Sequence, residues 1–249
     1  MTTDEFIQFL TARFNSGEEK TTLAEGMPLG VDDNGEMVFA RKQGRVFNVR
    51  NTCVTGGRKT PFIKRLLLTL SQLYTREEAN FFIVSPYKEY GELLQLKNAD
   101  FTIPYVYDKA QLVAVRECLE KLVDLYKNQK RCLKLFLVLD GLDELKDCNL
   151  SSSLEEYREI FDIVANQSNV EVISGAELMK SIFSGYPGAF VGVGNALITT
   201  IEEGKADVTY VGEDSSLSMP TPIRFPTAPS VTETVIMLNA LSQRRTSQD

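Results

Sequence analysis

The sequence predicts an α/β fold with a mostly parallel sheet and helices on both faces. Short unbroken apolar runs recur along the chain, the clearest being LKLFLVLD at 133–140. A strand buried on both faces has this texture. Amphipathic segments at helical spacing separate the runs. From Val46 onward the two textures alternate, which is the order of βαβ units.

The elements follow in order. Residues 3–14 place Phe6, Ile7, Leu10 and Phe14 on one helical face, with Thr3 as cap and Asp4 and Glu5 in the first turn. A polar stretch runs from Asn15 to Thr22. PLGVDDNGEMVFA then reads as a hairpin with an Asp-Asn-Gly turn at 33–35. A strand is predicted over 46–54, a glycine-bearing turn at 55–57, and a helix over 61–74 with Pro61 in its first turn. FFIVS at 81–85 and IPYVY at 103–107 are the next strands. Asp108 caps a helix carrying Leu112, Val115, Leu119, Leu122 and Tyr126 on one face. After the strand at 133–140 come an amphipathic helix over 154–167 and a strand, VEVIS, at 170–174. Beyond Ser184 the chain is rich in Gly, Pro and Thr. AFVGVG, DVTYVG and IRF read there as short edge strands, SVTETVIMLNAL as a closing helix and SQRRTSQD as a frayed tail.

Composition narrows the function. No stretch approaches eighteen apolar residues, so no membrane insertion is expected, and MTTDEFIQFL lacks a basic leader region. The net charge of −7 argues against a DNA clamp, which needs a positive face. The cluster of Lys127, Lys130 and Arg131 reads as a solvated helix end. The chain has no histidine, which excludes histidine-based catalytic triads and histidine-ligated metal sites. Its four cysteines, at 53, 118, 132 and 148, show no CxxC spacing and suit a reducing cytoplasm.

Strand, glycine turn and helix together form the context of a P-loop. In G-x-x-x-x-G-K-[ST] the backbone N–H groups surround phosphates, the lysine reaches the β- and γ-phosphates, and the hydroxyl ligates magnesium. The corresponding stretch here is CVTGGRKT, residues 53–60. The candidate nucleotide-binding residues are Thr55, Gly56, Gly57, Arg58, Lys59 and Thr60. Cys53 and Arg58 stand where the two defining glycines belong. Arginine adds bulk where backbone must approach a phosphate closely. On this motif alone, a plain glycine turn leading into a helix is an equal reading.

A second element is LFLVLDGLDEL. It ends an apolar strand on Asp140, the Walker B arrangement, in which the carboxylate helps hold magnesium. Asp140 and Thr60 are therefore the candidate magnesium ligands. Gly141 stands where a water-orienting carboxylate is usual, and Asp143 and Glu144 are the candidate substitutes. A nucleotide site would bring Lys59 and Asp140 together at the carboxyl ends of adjacent strands.

With these motifs the chain resembles the FtsK/SpoIIIE group of P-loop ATPases. PLGVDDNGE is similar to that family's leading hairpin, CVTGGRKTPFIKRLLLTLSQL to its P-loop and following helix, FFIVSPYKEYGELLQL to its next strand, and LFLVLDGLDEL to its Walker B strand. The resemblance implies a P-loop NTPase-like fold of RecA/FtsK type over residues 27–242. Residues 1–26 would form a preceding helix and linker, and 243–249 a flexible tail. The family's strand after Walker B ends in a Thr-Gln pair that senses the γ-phosphate, where this chain has Ser174 and Gly175. Cys53, Arg58, Gly141 and Gly175 thus all depart at positions that would carry chemistry.

Among relatives, the degenerate modules of the type VII secretion proteins EssC and EccC look most similar. That likeness implies a catalytically weak or inactive cytoplasmic module, reaching the membrane only through a larger assembly. ATP and magnesium binding would be weak or absent. Its partners would be sibling ATPase modules or a secreted substrate peptide, and not DNA. Two alternatives stand: an active FtsK-type translocase motor using Lys59, Thr60 and Asp140, and a NACHT-like signalling NTPase, suggested by LDGLDEL.

Overall fold

The computed structural model describes residues 26–41, 50–74, 76–96, 99–128, 134–142, 145, 159–165, 167–175, 196–210 and 218–225. They form a ten-stranded sheet in the order β2-β1-β10-β9-β8-β3-β7-β6-β4-β5. The strands are β1 (Gly26–Val31), β2 (Met37–Arg41), β3 (Arg50–Thr55), β4 (Ala79–Val84), β5 (Asp100–Thr102), β6 (Lys134–Leu139), β7 (Val170–Gly175), β8 (Ala196–Glu202), β9 (Lys205–Tyr210) and β10 (Thr221–Arg224). β8, β3, β7, β6, β4 and β5 run parallel to one another, and the remaining pairings are antiparallel. This is the mostly parallel α/β fold that the alternation predicts.

Strand β6 shows why the helices divide between two faces. Side chains alternate along a strand. Leu135, Leu137 and Leu139 pack on one face with Leu112, Val115 and Leu119 of helix α2 (Lys109–Asn128) and with Ile160 and Val164 of the helical residues 159–164. Phe136 and Val138 pack on the other face with Phe62, Ile63, Leu66 and Leu70 of helix α1 (Lys59–Leu73). Phe136 also stacks on Phe81, with ring centroids 5.2 Å apart.

The 26–41 hairpin forms as its turn chemistry directs. Asp32 Oδ1 accepts the N–H groups of Asn34 and Glu36 at 2.9 and 2.8 Å, and Gly35 takes φ 81°. Asp108 caps α2, its Oδ1 accepting the Gln111 N–H at 2.9 Å.

Two expectations are corrected. The fifth strand lies at Asp100–Thr102, upstream of the predicted 103–107. Pro104 sits within that run and brings no N–H to a ladder. Tyr105 keeps only an isolated parallel bridge to Ser85. The late strands DVTYVG and IRF, expected at an edge, are β9 and β10 in the sheet interior, because the 26–41 hairpin pairs outside them. A further strand that the sequence analysis does not predict, β8 at ALITTIE, pairs in parallel with β3. The N-terminal helix at 3–14, AFVGVG, the closing helix and the tail lie outside the described residues, as do Asp143 and Glu144.

Candidate functional site

The turn from β3 to α1 is short. Cys53, expected as the first loop position, lies within β3, paired to Ser174 on one side and Leu197 on the other. The strand continues to Thr55, and Lys59 opens the helix. Only Gly56, Gly57 and Arg58 make the turn. Gly56 has φ 100°, and a Cβ there would lie 2.4 Å from the carbonyl oxygen of Thr200 on β8. Glycine is therefore required at 56 by its backbone conformation and by β8.

Thr200 organises this turn. Its hydroxyl donates to the Thr55 carbonyl at 2.9 Å and accepts the Arg58 N–H at 3.4 Å. One backbone N–H that a phosphate would use thus faces a threonine. The Arg58 guanidinium lies outside the turn, 3.4 Å from Glu203 in the β8–β9 turn, where both side chains are exposed. Lys59 is half-buried at the first position of α1.

Thr60 and Asp140 come together. The Thr60 hydroxyl donates to Asp140 Oδ2 at 2.7 Å. Their strands are not adjacent as expected, because β7 lies between β3 and β6. The contact spans that strand because Thr60 sits one residue into α1, above the carboxyl ends of the sheet. Asp140 is fully buried.

Sequence reasoning missed a third member. Tyr90, in a 3-10 helix at Lys88–Gln95, donates its hydroxyl to the same Asp140 Oδ2 at 2.8 Å. Tyr90 is fully buried. Burial first, and then the Asp140 charge, push its phenol well above the usual range, so it stays a proton donor. Nothing in SPYKEYGEL marks Tyr90 apart from its place after β4, in the stretch that contributes to the site.

The two glycines read as departures have packing reasons. Gly175 lies against Asp140, so that a Cβ there would be 2.3 Å from Oδ1. Gly141 has φ 74°, and a Cβ there would lie 2.6 Å from the Tyr87 ring. Ser174, where a γ-phosphate sensor is expected, donates its hydroxyl to Asn51 Oδ1 at 3.0 Å inside the sheet.

The donor set suits magnesium in kind, since hydroxyl and carboxylate oxygens are its ligands. Asp140 Oδ2 accepts the hydroxyl protons of Thr60 and Tyr90, and Oδ1 accepts neither. A groove of about 590 Å³ between α2 and residues 159–163, lined by Arg116, Glu120, Asp124 and Asp162, includes none of these site residues.

Cys53 supplies a test of how tightly β3 is held. Burial pushes its thiol up to about 12 from 9.0, against a smaller opposing contribution from Ser174. The folded chain holds this proton more firmly than the unfolded one. Its contribution to stability is therefore complete below about pH 9 and lost as pH rises towards about 12. At pH 8 Cys53 should resist alkylation in native buffer while exposed Cys118 reacts, both reacting in urea; peptide mass mapping reads the two sites.

No family model and no curated protein matches the sequence. Solved structures do resemble it. The cytoplasmic domain of the Thermomonospora curvata type VII secretion ATPase EccC superposes with a TM-score of 0.55 at 10% identity, over 83% of this chain and 27% of that one. ATPases 2 and 3 of Thermomonospora curvata EccC, in complex with a signal sequence peptide, give 0.53 at 11%, over 83% and 41%. The cytoplasmic domain of EssC gives 0.51 at 13%, over 89% and 50%. The chain spans half or less of each of these structures. At such identities the likeness concerns the fold alone, which the chain shares with these ATPase domains. Among the described residues no helix is long and apolar enough to cross a membrane.

Proposed function

Starting from this P-loop ATPase fold, we propose that the chain is a catalytically weak or inactive module that acts by binding protein within a cytoplasmic secretion ATPase. The observation that carries this reading is the Thr60–Asp140–Tyr90 cluster, in which two hydroxyls donate to one carboxylate oxygen. Thr60 and Asp140 would hold magnesium if a nucleotide bound, and magnesium would then neutralise charge on the β- and γ-phosphates. Thr55, Gly56, Gly57, Arg58 and Lys59 would face the phosphates. In this chain the turn is three residues long, and one of its N–H groups is engaged by Thr200. Both features weaken a phosphate cradle built from backbone N–H groups.

The partner class follows from fold and charge. One structural neighbour, comprising ATPases 2 and 3 of EccC, holds a signal sequence peptide. A secreted peptide or a sibling module is therefore the partner proposed here, and the net charge of −7 speaks against DNA.

A steady-state phosphate-release assay with Lys59→Ala as control tests the catalytic half. Release should stay at background in both proteins. Robust turnover lost in Lys59→Ala would establish the motor reading instead. Arg58→Gly should improve nucleotide binding more than turnover, because it removes the Cβ beside the turn's backbone while position 141 stays without a carboxylate. Pull-downs with sibling modules and a secreted helical substrate, beside a DNA-binding assay at moderate salt, test the partner. Salt-sensitive DNA affinity with no protein partner would overturn it.

A further inference from the structure

We infer that Tyr90 is a built-in cap on the Walker B carboxylate, whose hydroxyl occupies the position a magnesium-bound water would take and so sets the metal dependence of the site. The inference rests on the reading of residues 55–60 as a nucleotide-facing turn.

The geometry carries it. A carboxylate oxygen offers about two lone-pair sites. Oδ2 of Asp140 fills them with the Thr60 hydroxyl at 2.7 Å and the Tyr90 hydroxyl at 2.8 Å. The Thr60 bond is compatible with a metal, because the threonine oxygen keeps lone pairs while its proton points at the carboxylate. The Tyr90 bond is not, because magnesium gives up its waters reluctantly and needs acceptors for their protons. Oδ1, buried beside Gly175, accepts neither of these protons, so the cap acts on Oδ2.

Tyr90 is also placed independently of the bond it makes. Its ring is buried in the α1-face core with Leu93 and Leu96. The segment before it is fixed by the Tyr87 N–H on Ser85 Oγ at 3.2 Å and the Tyr90 N–H on the Tyr87 carbonyl at 3.4 Å. Phenylalanine keeps the ring and these backbone bonds, and removes only the cap.

The experiment titrates a fluorescent ATP analogue, with and without magnesium, into the full chain, Tyr90→Phe, and each of these carrying Lys59→Ala. Without magnesium the two Lys59 proteins should bind with equal, low affinity. Magnesium should strengthen Tyr90→Phe roughly tenfold, the order expected when one charge-assisted hydrogen bond no longer competes, and leave the unmodified chain nearly unchanged. The gain should vanish with Lys59→Ala. Equal magnesium responses in both proteins, with binding still dependent on Lys59, would overturn the cap while sparing the nucleotide site. Binding indifferent to Lys59, or none at all, would overturn the nucleotide-facing reading and the cap with it. Circular dichroism establishes that each variant is folded. Tyr90→Met, an apolar replacement that also lacks the hydroxyl, makes the same distinction if Tyr90→Phe does not fold.

Discussion

Replacing Asp140 by alanine should lower folding stability by about 3–5 kcal/mol, the cost of breaking a buried hydrogen-bonded charge. In a chain of this length that lowers Tm by roughly 10 °C. The carboxylate is fully buried and takes the hydroxyl protons of Thr60 and Tyr90. Alanine leaves the buried Tyr90 hydroxyl without this acceptor and opens a small void beside it. Asparagine keeps an acceptor oxygen and should cost about 1–2 kcal/mol. Urea denaturation of the three proteins measures both differences. An alanine variant as stable as the parent would show that the carboxylate is free to serve a ligand and is not part of the fold. A Walker B carboxylate used mainly for chemistry would instead lose turnover with little loss of stability.

Refitting the family's polar residues should damage the fold and gain no turnover. Gly175→Gln sets a Cβ within 2.3 Å of the buried Asp140 Oδ1. Overpacking and disruption of the cluster should together cost about 3 kcal/mol or more. Gly141→Glu, which supplies the water-orienting carboxylate, forces a side chain onto φ 74° and against the Tyr87 ring. The backbone alone should cost about 1–2 kcal/mol there, with further loss if the ring cannot turn aside. Thermal melts and phosphate release on the same samples check both variants. A stable Gly141→Glu protein with new turnover would show that the missing carboxylate alone separates this chain from an active ATPase.

Much of the fold is legible because its central strands are buried on both faces. β4 and β6 carry the continuous apolar runs FFIV and LFLVL, β7 carries the shorter pattern VEVI, and Asp140 stands out as the acid that follows one of these strands. β8 is harder to see. Thr199 and Thr200 interrupt its apolar texture, although Thr200 is buried and bonded to the turn. The fifth strand is displaced because apolar content marks IPYVY while proline denies it a ladder. At the site, Thr60 and Asp140 are marked by motif. Tyr90 and Thr200 are not, since each acts through a contact with a residue remote in sequence, and local spacing carries no trace of such contacts. The same holds for Gly141 and Gly175. From the sequence they look like lost chemistry, and in the structure each is also demanded by a neighbour, Tyr87 for one and Asp140 for the other.

The placement of the 26–41 hairpin has a kinetic consequence. Its partner in the sheet is β10, with Val31 opposite Arg224. On a ribosome the hairpin emerges early and must wait for nearly the whole of the described chain before its neighbour exists. Contacts of such sequence separation slow folding, and an unpaired strand edge invites pairing with other chains in the interval. Refolding of this protein should therefore show edge closure as its late event, with β1 and β2 gaining hydrogen-exchange protection after β4, β6 and β7.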